Sequence, residues 1–164
     1  MTLAKLSYAD IHRRLDHRPS DELLRLLDDR SVKVGDTAAD LLATRQEWEM
    51  VLDALVIGKL KTRNGKVRGL NLLKLRGRKL AGAINAYLLL IRDKHPDVVG
   101  CALFGIVFWN DRRNIKAVQS INNSRAHHLV GKAIAALRKG DPTIYSPYFF
   151  DEVGVWRKSR RTVG

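Results

Sequence analysis

Apolar positions recur along this chain with a period slightly above thirty. Val34, Val67, Val98 and Leu129 are separated by 33, 31 and 31 residues, and each opens the same short pattern. Four residues on stand Ala38, Asn71, Ala102 and Ala133; eight on stand Leu42, Leu75, Ile106 and Leu137. Offsets of 0, 4 and 8 stack side chains along one face of an α-helix, so the repeating unit is helical. A period between about 20 and 50 residues is that of a stacked array. Leu27, Leu60 and Ile91 each lie seven residues before their anchor, and Gly69, Gly100 and Gly131 lie two after theirs.

Caps and breakers delimit the predicted elements. Ser7, with Asp10 three residues later, predicts a first helix that stops before Pro19 and caps the array. Helix pairs are expected at 20–28 and 31–45, 46–60 and 64–76, 79–94 and 96–110, and 113–121 and 124–139. Ser20 and Ser31 supply caps, Asn64-Gly65 a turn, Pro96 a first helical position and Gly140-Asp141-Pro142 a stop. The predicted fold class is all-α: an α-solenoid of about four stacked helical hairpins in a single domain, 1–164. It comprises a cap helix (1–19), the repeats (20–140) and an aromatic and basic tail (141–164).

Within it, the run from Leu26 through Asp28, Asp29, Val34 and Ala38 to Leu42 resembles a HEAT repeat, and the run from Ile91 through Asp93, Pro96 and Val98 to Val99 repeats its turn. Repeat two departs from that turn with Thr62-Arg63-Asn64-Gly65, and repeat four with Asn122-Asn123-Ser124. The resemblance covers about residues 20–140 and implies a scaffold or binding surface, with no ligand named.

In such a solenoid the outward face of the second helices lines a concave surface. At 100° per residue that face holds offsets −1, 3, 6 and 10 from each anchor. Repeat one places Lys33, Thr37, Asp40 and Thr44 there; repeat two, Lys66, Leu70, Leu73 and Gly77. Repeat three places Asp97, Cys101, Phe104 and Phe108; repeat four, His128, Lys132, Ala135 and Lys139. The expected protein-binding site therefore has an apolar centre, Leu70, Leu73, Cys101, Phe104 and Phe108, and a basic margin, Lys66, Lys132 and Lys139. It suits an acidic or amphipathic protein segment. Two other occupants are open: the chain's own tail from Tyr145 to Phe150, and a second copy in a homo-oligomer.

Charge adds an alternative. The chain carries a net +13, but residues 1–53 hold 8 Lys/Arg against 11 Asp/Glu, and residues 54–164 hold 22 against 6. No acidic residue falls between Asp53 and Asp93. Such a field attracts nucleic acid, an anionic membrane or an acidic protein, or serves solubility alone. The nucleic-acid alternative assigns Arg63, Lys66, Arg68, Lys74, Arg76, Lys132 and Lys139 to phosphates; the basic end from Trp156 to Arg161 is read first as solvated, disordered chain, with phosphate contact as its alternative.

Signals for chemistry are sparse. Cys101 is the single cysteine, read as a small apolar residue. His127-His128 and the pair His12 and His17 lack an i, i+4 ligand spacing, so no metal or cofactor is expected. Asp28-Asp29 matches the repeat turn and is read as structural. Some alkylpurine DNA glycosylases are also built from HEAT-like repeats; under that comparison Trp109 and Asp111 would stand for their aromatic and carboxylate groups, with no motif matched residue by residue. No run reaches the roughly 20 apolar residues of a membrane span and the N-terminus has no leader pattern, so the expected location is cytoplasmic.

Overall fold

The computed structural model describes residues 2–76, 80–146, 148–150 and 156–158. Nine α-helices occur among the described residues: α1 (Tyr8–Leu15), α2 (Ser20–Leu26), α3 (Val32–Thr44), α4 (Trp48–Val56), α5 (Arg63–Arg76), α6 (Ala83–Leu90), α7 (Pro96–Trp109), α8 (Ile115–Gln119) and α9 (His127–Lys139). Among the described residues up to 146 the regular structure is helical, as expected, while the expected helix start at Lys79 lies outside the described residues; the tail adds two short antiparallel strands, β1 (Tyr148–Phe150) and β2 (Trp156–Lys158), in which Phe149 pairs with Arg157. No described helix is long and apolar enough to cross a membrane.

Local chemistry explains most boundaries. The hydroxyls of Ser7 and Ser31 accept the amides of Asp10 and Val34, as N-caps should. Pro96 opens α7, and Asn110 and Gly140 close α7 and α9 in the left-handed conformation. Two expectations differ. Ser20 does not cap α2; its hydroxyl instead donates to Glu47 at 2.8 Å. Asn64-Gly65 is not a turn but lies within the first turn of α5, whose Gly65 amide bonds the Thr62 hydroxyl.

The chain divides into two compact units, Met1–Leu73 and Lys74–Gly164, with the boundary inside α5. In the first, α3 packs against both α1 and α2. Asp28, at the turn before α3, accepts the amides of Lys61 and Thr62, both at 2.9 Å, and so ties that turn to the one 33 residues later. Gly65 is required there, because a Cβ would fall 1.9 Å from the Asp28 carboxylate. The acidic pair is thus structural, with Asp29 accepting the Ser31 amide.

Arg68 is the second tie. Its guanidinium lies over Gly35 of α3, donates to the carbonyls of Leu27 (2.7 Å) and Asp29 (3.0 Å), and pairs with Asp36 at 2.9 Å. Both carbonyls lie in the turn that leads from the end of α2 to α3. In the second unit α6 packs on α7, while α9 packs on both α7 and α8. The Asn123 amide group donates to the carbonyls of Asp93 and Lys94, again linking turns about thirty residues apart.

The apolar register of α5 differs from the expected one. Helices α3, α5, α7 and α9 begin at Val32, Arg63, Pro96 and His127, so Val34 corresponds to Gly65 and not to Val67. The seventh residues are Ala38, Gly69, Ala102 and Ala133, and the eleventh are Leu42, Leu73, Ile106 and Leu137; all eight are buried. A two-residue slip turns a helix by about 200° and exchanges its faces. Leu70 and Leu73 are consequently fully buried, whereas Asn71 and Leu75 are exposed. Thr37, also expected outward, is buried and returns its hydroxyl to the Lys33 carbonyl.

Candidate functional site

The expected apolar concave centre is not assembled as the sequence suggested. Leu70 and Leu73 have no exposed surface with which to meet a partner. Gly77 lies outside the described residues. Cys101, Phe104 and Phe108 are half-buried on α7. Tyr145 covers part of this face: its ring meets Phe104 edge-on with centroids 6.2 Å apart, and its hydroxyl donates to the Gly100 carbonyl at 2.9 Å. Lys74 approaches the same ring, its Nζ 4.7 Å from the centroid. The tail is therefore one occupant of the α7 face. Pro147 and residues 151–155 lie outside the described residues.

Burial also removes two of the expected phosphate contacts. Arg68 serves the α2–α3 turn, and Lys74 is 5% exposed. Withdrawal from water lowers the Lys74 ammonium below the usual lysine range, with the nearby Cys101 thiol acting the other way. Arg63, Arg76, Lys132 and Lys139 are exposed, and Lys66 is half-buried. Of the basic end, Trp156 to Lys158 form β2 and residues 159–164 lie outside the described residues.

A different surface emerges in the second unit, on the α8–α9 hairpin. Residues 112–140 contain no Asp or Glu and seven basic residues: Arg112, Arg113, Lys116, Arg125, Lys132, Arg138 and Lys139. All seven are exposed. The fold produces this because Val118, Ala126, Val130, Ala133, Ala136 and Leu137 turn inward, leaving the polar arc of α9 facing solvent. That arc carries His127, His128, Lys132, Arg138 and Lys139. With a rise of about 1.5 Å per residue, Lys132 and Lys139 stand roughly 10 Å apart along the axis.

Arg113 pairs with Asp111 just before the hairpin. Lys116, Arg125, Lys132, Arg138 and Lys139 have no acidic partner among the described residues. Sequence reasoning found Lys132 and Lys139 but missed the other five. The signal was present as a second acid-free run, shorter and less dense than the one from 54 to 92.

Asp111 is committed locally. Its carboxylate accepts the Arg113 amide at 2.9 Å and the Arg113 guanidinium, which holds it below the usual carboxylate range. It caps its own turn, so its pairing with Trp109 as a base-recognition site has no support in the geometry. No group of three or more His, Cys, Asp or Glu among the described residues is arranged to hold a metal ion. An open hollow of about 330 Å³ between the α6–α7 and α8–α9 turns, walled by Ile91, Arg92, Asp93 and residues 120–123, has mixed polarity and no convergent reactive groups.

The chain matches no protein-family model, no curated protein and no solved structure.

The Tyr145 contact carries a direct expectation. Tyr145→Phe removes one partly buried hydrogen bond and should lower stability by about 1 kcal/mol in urea denaturation. Tyr145→Ala should also speed modification of the Cys101 thiol; an unchanged rate would mean that Tyr145 does not shield that face.

Proposed function

We propose that this chain is a HEAT-like helical-repeat binding module whose exposed, acid-free α8–α9 surface engages the phosphate backbone of a nucleic acid. The observation that carries it is that all seven basic residues of 112–140 reach solvent with no acidic residue interspersed. A surface meant only for solubility interleaves both signs, as α1, α2 and the turn between them do with Asp10 and Arg13, Arg18 and Glu22, and Asp21 and Arg25. A single-sign face instead displaces the counterions condensed on a polyanion, which drives binding without reading bases.

The repeat reading is supported by the recurring positions three, seven and eleven of α3, α5, α7 and α9, and by contacts between second helices within each unit. Arg68 lies over Gly35, and Leu129 over Gly100. A protein-partner reading keeps one supporting observation, the half-exposed Cys101, Phe104 and Phe108 on α7.

Titration of labelled duplex and single-stranded DNA at two salt concentrations tests the proposal. If about four phosphates are neutralised, affinity for duplex should fall about a hundredfold between 50 and 200 mM salt. No binding at the lower salt overturns the nucleic-acid reading and leaves the α7 face as the candidate surface.

A further inference from the structure

Six glycines lie within the described α-helices α3, α5, α7 and α9, and five of them have an internal reason to lack a side chain. A Cβ at Gly35 would meet the Arg68 guanidinium, at Gly65 the Asp28 carboxylate and at Gly69 Leu55 and Leu60. At Gly100 it would meet Leu129, and at Gly105 the ring of Tyr87. Gly131 is the exception. It stands in the fifth position of the 13-residue α9, is exposed, and has nothing within 4 Å of where its Cβ would be.

A glycine inside a helix weakens it relative to alanine, so an exposed one with open space around it works against the fold it sits in. Its helical backbone needs no positive φ, so conformational freedom supplies no reason either. The remaining physical use of a bare Cα is close approach from outside. Its neighbours on the arc identify what would approach: Arg138 lies seven residues on, nearly in line along the axis, with His127 and His128 one turn back and Lys132 beside it. The ionisable side chains that α9 itself carries are all lysine, arginine or histidine.

We infer that Gly131 is the point where a nucleic-acid sugar-phosphate backbone comes closest to α9, its missing side chain letting one strand seat between Arg138 and Lys132 so that both reach phosphates. This rests on the nucleic-acid reading above and deepens it. It assigns a positional role to a residue that carries no charge.

Gly131→Ala and Gly131→Leu separate folding from binding, because stability and affinity should move in opposite directions. Both variants should raise the melting temperature, since alanine and leucine are better helix formers in open space. Binding of the same labelled duplex at low salt should weaken about tenfold for alanine and more for leucine, with the salt slope falling as phosphate contacts are lost. Wild-type affinity in both variants, with wild-type protein binding DNA, overturns the role of Gly131 and leaves the nucleic-acid reading standing. Failure of the wild-type protein to bind removes the reading itself. A lower melting temperature for Gly131→Ala would refute the premise that the site is open.

Discussion

Arg68→Ala is expected to lower the unfolding free energy by about 2–4 kcal/mol, read as a shift in the urea midpoint at constant slope. The side chain is nearly buried and supplies charged donors to the carbonyls of Leu27 and Asp29, which lose their partner when it is removed. Most of the effect comes from those carbonyls and the space left behind. The pair with Asp36 adds less, because that carboxylate is 49% exposed.

Gly35 provides the internal control. A Cβ there would fall 2.1 Å from the Arg68 Cζ, so Gly35→Ala should displace the guanidinium and destabilise wild-type protein. In the Arg68→Ala background the same change should be neutral or stabilising, since only the helix preference for alanine remains. Equal destabilisation in both backgrounds would show that Gly35 is needed for some reason other than the arginine.

The second large effect concerns binding. Lys132→Glu with Lys139→Glu is expected to weaken duplex DNA binding at least about a hundredfold at low salt and to reduce the salt slope by about 2. Both side chains are exposed and neither has an acidic partner among the described residues, so the melting temperature should change little. The companion pair Arg63→Glu with Arg76→Glu tests whether exposed charges elsewhere matter equally. If both double variants lose affinity to the same extent, the field of the whole chain drives binding and the α8–α9 surface has no special place.

Much of the helical framework was legible because its signals are local. Ser7 and Ser31 cap where a hydroxyl three residues before a free amide must, and Pro96, Asn110 and Gly140 bound α7 and α9 by their own backbone preferences. The Asp28 turn was recognisable from residue type, although its partners Lys61 and Thr62 were not. The candidate site was less legible. Phe104 and Phe108 lie on the expected face of α7, but nothing in their spacing announced that Tyr145 would cover one of them.

Residue order alone specified helices, a spacing near thirty between their anchors, caps at the ends of the principal ones and a strong positive charge. Which side of α5 faces inward was settled by packing. Its buried third and seventh positions are Gly65 and Gly69, and a hydrophobic pattern cannot mark a position whose residue has no side chain. The space there is filled from outside the helix, by Asp28 and by Leu55 and Leu60, so the apolar count favoured Val67 and turned Leu70 and Leu73 to the wrong face. The same reason separates the arginines and lysines. Charge belongs to the residue, but exposure belongs to its neighbours, and packing withdrew Arg68 and Lys74 while leaving Lys132, Arg138 and Lys139 in solvent.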